Sequence, residues 1–111
     1  MDLTGRILLA ALFAAGAVQK TLDPDAAQGL LAGLGAPVWL VWPALGLNAL
    51  LAIGLLWPPT VRQAAIVAAG YCALTSVFHF QPHDGWQMSI FVKNWAIAGG
   101  LLVLAAAHRP A

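Results

Sequence analysis

Residues 88–107, MSIFVKNWAIAGGLLVLAAA, carry one charge, Lys93, in twenty positions. A helix of that length rises ~30 Å, the thickness of a bilayer's hydrocarbon core. Three more stretches of the same character lie upstream, at residues 3–19, 38–57 and 64–80. Apolar residues make up 61% of the 111-residue chain, charged residues 8%, and the mean hydropathy is +0.83. Soluble domains are about a quarter charged. A soluble domain this small could not bury so much apolar surface and would expose it as patches. Lipid is the simplest solvent for it. A barrel would need alternating strands, so the spans read as helices.

The expected fold is therefore an all-α membrane protein, a single domain over residues 1–111. Its four transmembrane helices form an up-down-up-down bundle, because the second and third loops, 58–62 and 81–85, are too short for anything but antiparallel neighbours. Arg6 ahead of an apolar run ending in Ala15, Gly16 and Ala17 has the form of a signal peptide, but the segment is taken as a retained span. Between the first two spans, residues 24–34 read as a short interfacial helix. Asp23 is its expected N-cap, Pro24 its first residue and Gly35 its left-handed terminator. Leu30, Leu31 and Leu34 would share its apolar face, with Asp25 and Gln28 outward.

Charge is sparse, with a net of +1 and no basic run. Nucleic acid is thus excluded as a partner, as is a polybasic lipid-binding patch. Arg6, Arg62 and Arg109 fall on one side of the expected topology and Asp23, Asp25 and Asp84 on the other, which places both termini in the cytoplasm. The single cysteine, Cys72, has no partner in the chain for a disulfide, a dithiol couple or a zinc site.

Polar residues inside apolar spans are the candidates for function. Gln19, Lys20, His79, Lys93 and Asn94 lie toward the outer ends, and Asn48 lies deep in the second span. Arg6 and Lys20 bracket 13 residues, and 95–107 is another 13, or ~20 Å of helix each. Lys20 and Lys93 should therefore sit at similar depth, with His79 near them. The five form an expected polar layer that would take a quinone, an anion or a lipid headgroup. The plainer alternative is lysines that snorkel to the headgroups. Pro82 interrupts any helical pairing of His79 with His83, so no metal is expected. His108 reads as a solvated tail residue. Ala65, Ala69 and Ala73 in the third span, with Ala96 and Gly100 in the fourth, recur every fourth residue as helix-packing positions.

Residues 13–24 (FAAGAVQKTLDP), 34–37 (LGAP), Phe78 with His79, and above all 91–102 (FVKNWAIAGGLL) resemble the DoxX family over essentially the whole chain. The resemblance implies a small four-helix membrane protein of the bacterial inner membrane. Some DoxX-like proteins are subunits of a thiosulfate:quinone oxidoreductase, and others are linked to oxidative-stress responses at the membrane. The family commonly carries a glutamate in the second span where this chain has Asn48, and an amide cannot titrate.

Three functions are compatible with these residues. The favoured one is a non-catalytic accessory or assembly subunit of a larger, quinone-linked membrane complex. It rests on the small-residue faces, the span-end tryptophans Trp39, Trp42, Trp57 and Trp86, and the lack of a catalytic constellation. The second is a quinone-linked oxidoreductase subunit, which would need a cofactor or thiols from elsewhere because no intrinsic cofactor motif is present. The third is an anion- or lipid-binding bundle using Lys20 and Lys93, which would require a homo-oligomer for transport.

Overall fold

The computed structural model describes residues 2–108, with the Ala27 side chain excepted. Arg109, one of the three arginines used to orient the chain, lies outside them. The described residues form helix α1 (Asp2–Leu22), α2 (Pro24–Gly33), α3 (Val41–Leu56), α4 (Val61–Thr75) and α5 (Gly85–Ala107). Short 3-10 turns precede α3 and α4 and follow α4, so the apolar spans run Asp2–Leu22, Val38–Leu56, Pro58–His79 and Gly85–Ala107. The fold class is all-α, with four helices long and apolar enough to cross a membrane and a fifth too short to do so. The chain divides at the Pro58–Pro59 pair into two compact units.

In the first unit α1 and α3 pack antiparallel. Ala10, Phe13 and Ala17 of α1 meet Val41, Asn48, Leu51 and Leu55 of α3, all nearly inaccessible. Between them α2 ends as expected at Gly35, the one residue with positive φ (71°) among those described. Gly35 N–H donates to Ala32 O (3.0 Å) and Ala36 N–H to Leu31 O (2.9 Å). That pair of bonds is a Schellman ending, which only glycine adopts without strain. Asp23 does occupy the N-cap position of α2, but its side chain makes no capping hydrogen bond. With Pro24 at the first helical position, one of the orphan donors is already missing.

In the second unit α4 contributes a face of small residues: Ala64, Ala65, Ala68, Ala69 and Cys72 are buried. On α5 the packed residues are Ala98, Leu101, Leu104 and Ala105, whereas Ala96 and Gly100 are exposed. The expected four-residue repeat therefore lies on the contact face of α4 but off that of α5. α5 also begins three residues earlier than its apolar run. Asp84 accepts from Trp86 N–H (3.0 Å) and Gln87 N–H (3.3 Å), an N-cap that draws 85–87 into the helix.

Each unit is closed at one end by an arginine. Arg6, 7% exposed, donates from Nε to Leu55 O (3.0 Å) and from Nη2 to Leu56 O (3.1 Å), while Nη1 meets Asp2 Oδ2 at 3.2 Å. Arg62 Nη1 donates to Ala105 O at 3.0 Å. These are carbonyls at the C-terminal ends of α3 and α5, at the negative pole of each helix; Ala105 O also accepts from His108 N–H (3.2 Å). Charge-assisted bonds of this kind contribute about 1.5–3 kcal/mol each. Arg6→Met is expected to lower unfolding stability in detergent by about 2–4 kcal/mol, and Arg62→Met, which loses one such bond, by less. Equal effects, or none, in thermal or SDS-titrated unfolding would contradict the capping role.

Candidate functional site

Asn48 lies mid-way along α3 and is 4% exposed. Its amide rests against Gly16 of α1. A Cβ added at Gly16 would overlap Asn48 Nδ2, stand 3.5 Å from Asn48 Cγ and lie 3.8 Å from Lys20 Nζ. Three residues the chain separates by up to 32 positions are thus gathered at one point. Lys20 is one turn beyond Gly16 on the same face of α1, so its ammonium reaches back to the level of Gly16. Glycine is what allows the two helices to approach here. Gln19, beside Lys20 in sequence, is exposed. Chemically the spot brings an amine and an amide together, two hydrogen-bonding groups of which the amide cannot titrate.

The second unit holds the remaining candidates. His79, half-buried at the end of the third span, has Nδ1 2.6 Å from Gln87 Oε1. Gln87 Oε1 can only accept, so Nδ1–H is the donor of that bond. Gln87, Phe91 and Trp95 follow at four-residue intervals along α5. The Phe91 ring packs on Phe80 (centroids 5.2 Å) and on Trp95 (6.4 Å). Lys93 is exposed and Asn94 half-buried. Cys72 is buried and free, and Ser76 Oγ–H donates to Ala73 O at 2.6 Å. Among the described residues no three His, Cys, Asp or Glu side chains lie close enough to hold a metal ion.

Alongside this polar end runs an apolar groove of about 470 Å³ between α4 and α5. Ala69, Gly70 and Ala73 of α4 and Ala98 and Gly99 of α5 form its floor, with Trp95 on its wall. A Cβ at Gly70 or Gly99 would meet nothing within 4 Å. Neither glycine is needed by the packing of its own unit.

Sequence reading singled out Lys20, Asn48, His79, Lys93 and Asn94 but not Gly16, Gln87, Gly70 or Gly99. The Gly16–Lys20 spacing of four was the available signal for the first. Gly99 lies within the quoted 91–102 stretch, and nothing local marked Gln87 or Gly70.

Apolar helices of spanning length, with buried polar side chains held by helix contacts and helix-end carbonyls, define a multi-pass membrane protein. The chain belongs to the DoxX family, whose model matches residues 1–81. That match takes in residues 13–24, 34–37 and Phe78 with His79, but ends before 91–102, the stretch on which the resemblance leaned most. The inner membrane protein YqjF of Escherichia coli (strain K12) is 29% identical over 104 residues, which is 93% of this chain and 80% of that protein. No solved structure matches the chain significantly.

If Gly16 exists to seat the Asn48 amide, Gly16→Ala should destabilise the first unit by about 1–3 kcal/mol, as overpacking does. Shortening the partner in Gly16→Ala/Asn48→Ala should recover part of that loss, giving a coupling that a double-mutant cycle reads out. Strict additivity would mean that the two do not touch.

Proposed function

We infer that the chain is a non-catalytic accessory subunit of a larger assembly in a bacterial inner membrane, where it is a multi-pass protein. The observation that carries this reading is the α4–α5 groove. Glycine within a helix costs about 1 kcal/mol relative to alanine, and Gly70 and Gly99 have space for a side chain that their own unit leaves unfilled. In lipid, where apolar surface alone drives no association, a floor of glycine and alanine is what lets another helix pack closely. The groove is the seat of a transmembrane helix from a partner subunit. The DoxX resemblance, which includes subunits of a quinone-reducing complex, supports a quinone-linked electron-transfer assembly as the setting. Quinone or lipid would be the small-molecule companion there, and the aromatic tier of Phe80, Phe91 and Trp95 is apolar enough to face either.

Native membranes solubilised in mild detergent provide the test. A membrane partner is expected to co-purify with the wild-type chain and to be lost with Gly70→Leu/Gly99→Leu, while Val67→Leu, at an exposed site outside the groove lining, retains it. Recovery of the isolated chain or a homo-oligomer alone, or equal partner retention in all three, would refute the assignment.

In this reading both termini face the cytoplasm, consistent with the arginines near the starts of α1 and α4. A C-terminal reporter fusion is expected to be active only in its cytoplasmic form, and a periplasmic signal would invert the topology.

A further inference from the structure

Lys93 is a charge placed inside a span and left without a counter-charge. It stands on an exposed face of α5, about 12 Å along the helix from Gly85. Among the described residues its ammonium has no hydrogen-bond or ion-pair partner. Arg6 and Arg62, by contrast, hold helix-end carbonyls. The one carboxylate adjoining α5, that of Asp84, already accepts from two backbone amides.

Trp86, Ser89, Lys93, Ala96 and Gly100 follow one another at alternating steps of three and four residues, which sets them in one line along α5. All five are exposed, Trp86 by 73%, and none lines the α4–α5 groove. The line is polar toward the start of α5 and free of bulk beyond Lys93. Neither the Trp86 indole N–H nor the Ser89 hydroxyl has a partner among the described residues. A helical lysine leans toward the start of its helix, the end at which Ser89 and Trp86 lie. A Cβ at Gly100 would meet nothing within 4 Å, so the furrow there is open.

We propose that this face of α5 binds one anionic phospholipid. Its phosphate is held by Lys93 together with the Ser89 hydroxyl and the Trp86 indole N–H, and one acyl chain lies over Ala96 and Gly100. An ammonium in these surroundings calls for an anion, and the bond to a phosphate oxygen is charge-assisted. From Ser89 to Gly100 the helix rises about 16 Å, close to the half of the ~30 Å core that the chains of one leaflet occupy. That length selects a lipid over a free anion, which would use the polar end and leave the furrow bare. A second copy is a poor occupant, because a two-fold pair about the membrane normal would set Lys93 against its own symmetry mate. This face and the α4–α5 groove are separate, so loss of one leaves the other intact.

Native mass spectrometry of the full chain in dodecyl maltoside, titrated separately with dioleoyl phosphatidylglycerol and dioleoyl phosphatidylcholine, tests the site. One phosphatidylglycerol per chain is expected, bound about fivefold more tightly than phosphatidylcholine, as one lysine near an anionic headgroup provides. Lys93→Met should remove that preference and Lys93→Arg should keep it. Gly100→Leu, which fills the furrow, should weaken both lipids alike. Val92→Leu, at an exposed neighbour outside the line, should change neither. Excess inorganic phosphate should not displace the lipid. Helical content and elution volume confirm folding of each variant, and the two Lys93 variants decide the matter if Gly100→Leu does not fold. Equal affinity for the two lipids, an unchanged preference in Lys93→Met, or displacement by free phosphate overturns the proposal, as does a lipid-free dimer formed through this face.

Discussion

The last carbonyls of a helix have no partner in the next turn, and the structure depends on how that constraint is met where helices pack. Arg6 lies almost wholly buried in the first unit, with its guanidinium on the terminal carbonyls of α3. Arg62 does the same for α5 with a single bond. An arginine is suited to this because its planar fork reaches two acceptors at once and its charge opposes the negative end of the helix. The device fixes more than a bond. By joining the start of one helix to the finish of its neighbour, it sets which ends meet and therefore the register in which the remaining side chains oppose each other. With Arg6 on Leu55 and Leu56, Gly16 falls opposite Asn48.

That register explains why the polar residues divide into different kinds. Ser76 bonds back to its own helix and Asp84 caps α5, so both are accounted for by helix construction. The Asn48 amide and the Lys20 ammonium both lie beside Gly16, where α1 packs on α3. The apolar surfaces divide in the same way. Alanines of α4 are consumed in packing against Leu101 and Ala105 of α5, while Gly70 and Gly99 border a groove that their own unit does not fill.

The number of spans was legible because composition specifies it: about twenty apolar residues suffice to cross lipid as a helix. The Gly35 terminator was legible for an equally local reason, since a left-handed residue after a leucine-rich turn favours glycine. The start of α5 was not. The run of apolar residues begins at Met88, but Asp84 supplies acceptors for two backbone amides and moves the boundary to Gly85. The fourth-residue repeat of small residues identified the contact face of α4 at Ala65 and Ala69 but missed that of α5, where Ala96 and Gly100 point away. A helix that is apolar on every side carries no stripe to mark the buried one.

What the sequence by itself determined is the solvent, the helical class, the four spans and the short list of polar residues that lipid would penalise. Each of these follows from the transfer energy of residues taken singly or in runs. Tertiary structure alone decided which of those residues meet. Asn48 and Lys20 read as separate features, one deep and one near the surface, until the packing of α1 on α3 put both beside Gly16. Arg6 read as a topology signal until it was found holding α3. The physical reason is that pairing depends on helix register and rotation, which are fixed by contacts 30 to 50 residues apart in the chain and leave no trace in local composition.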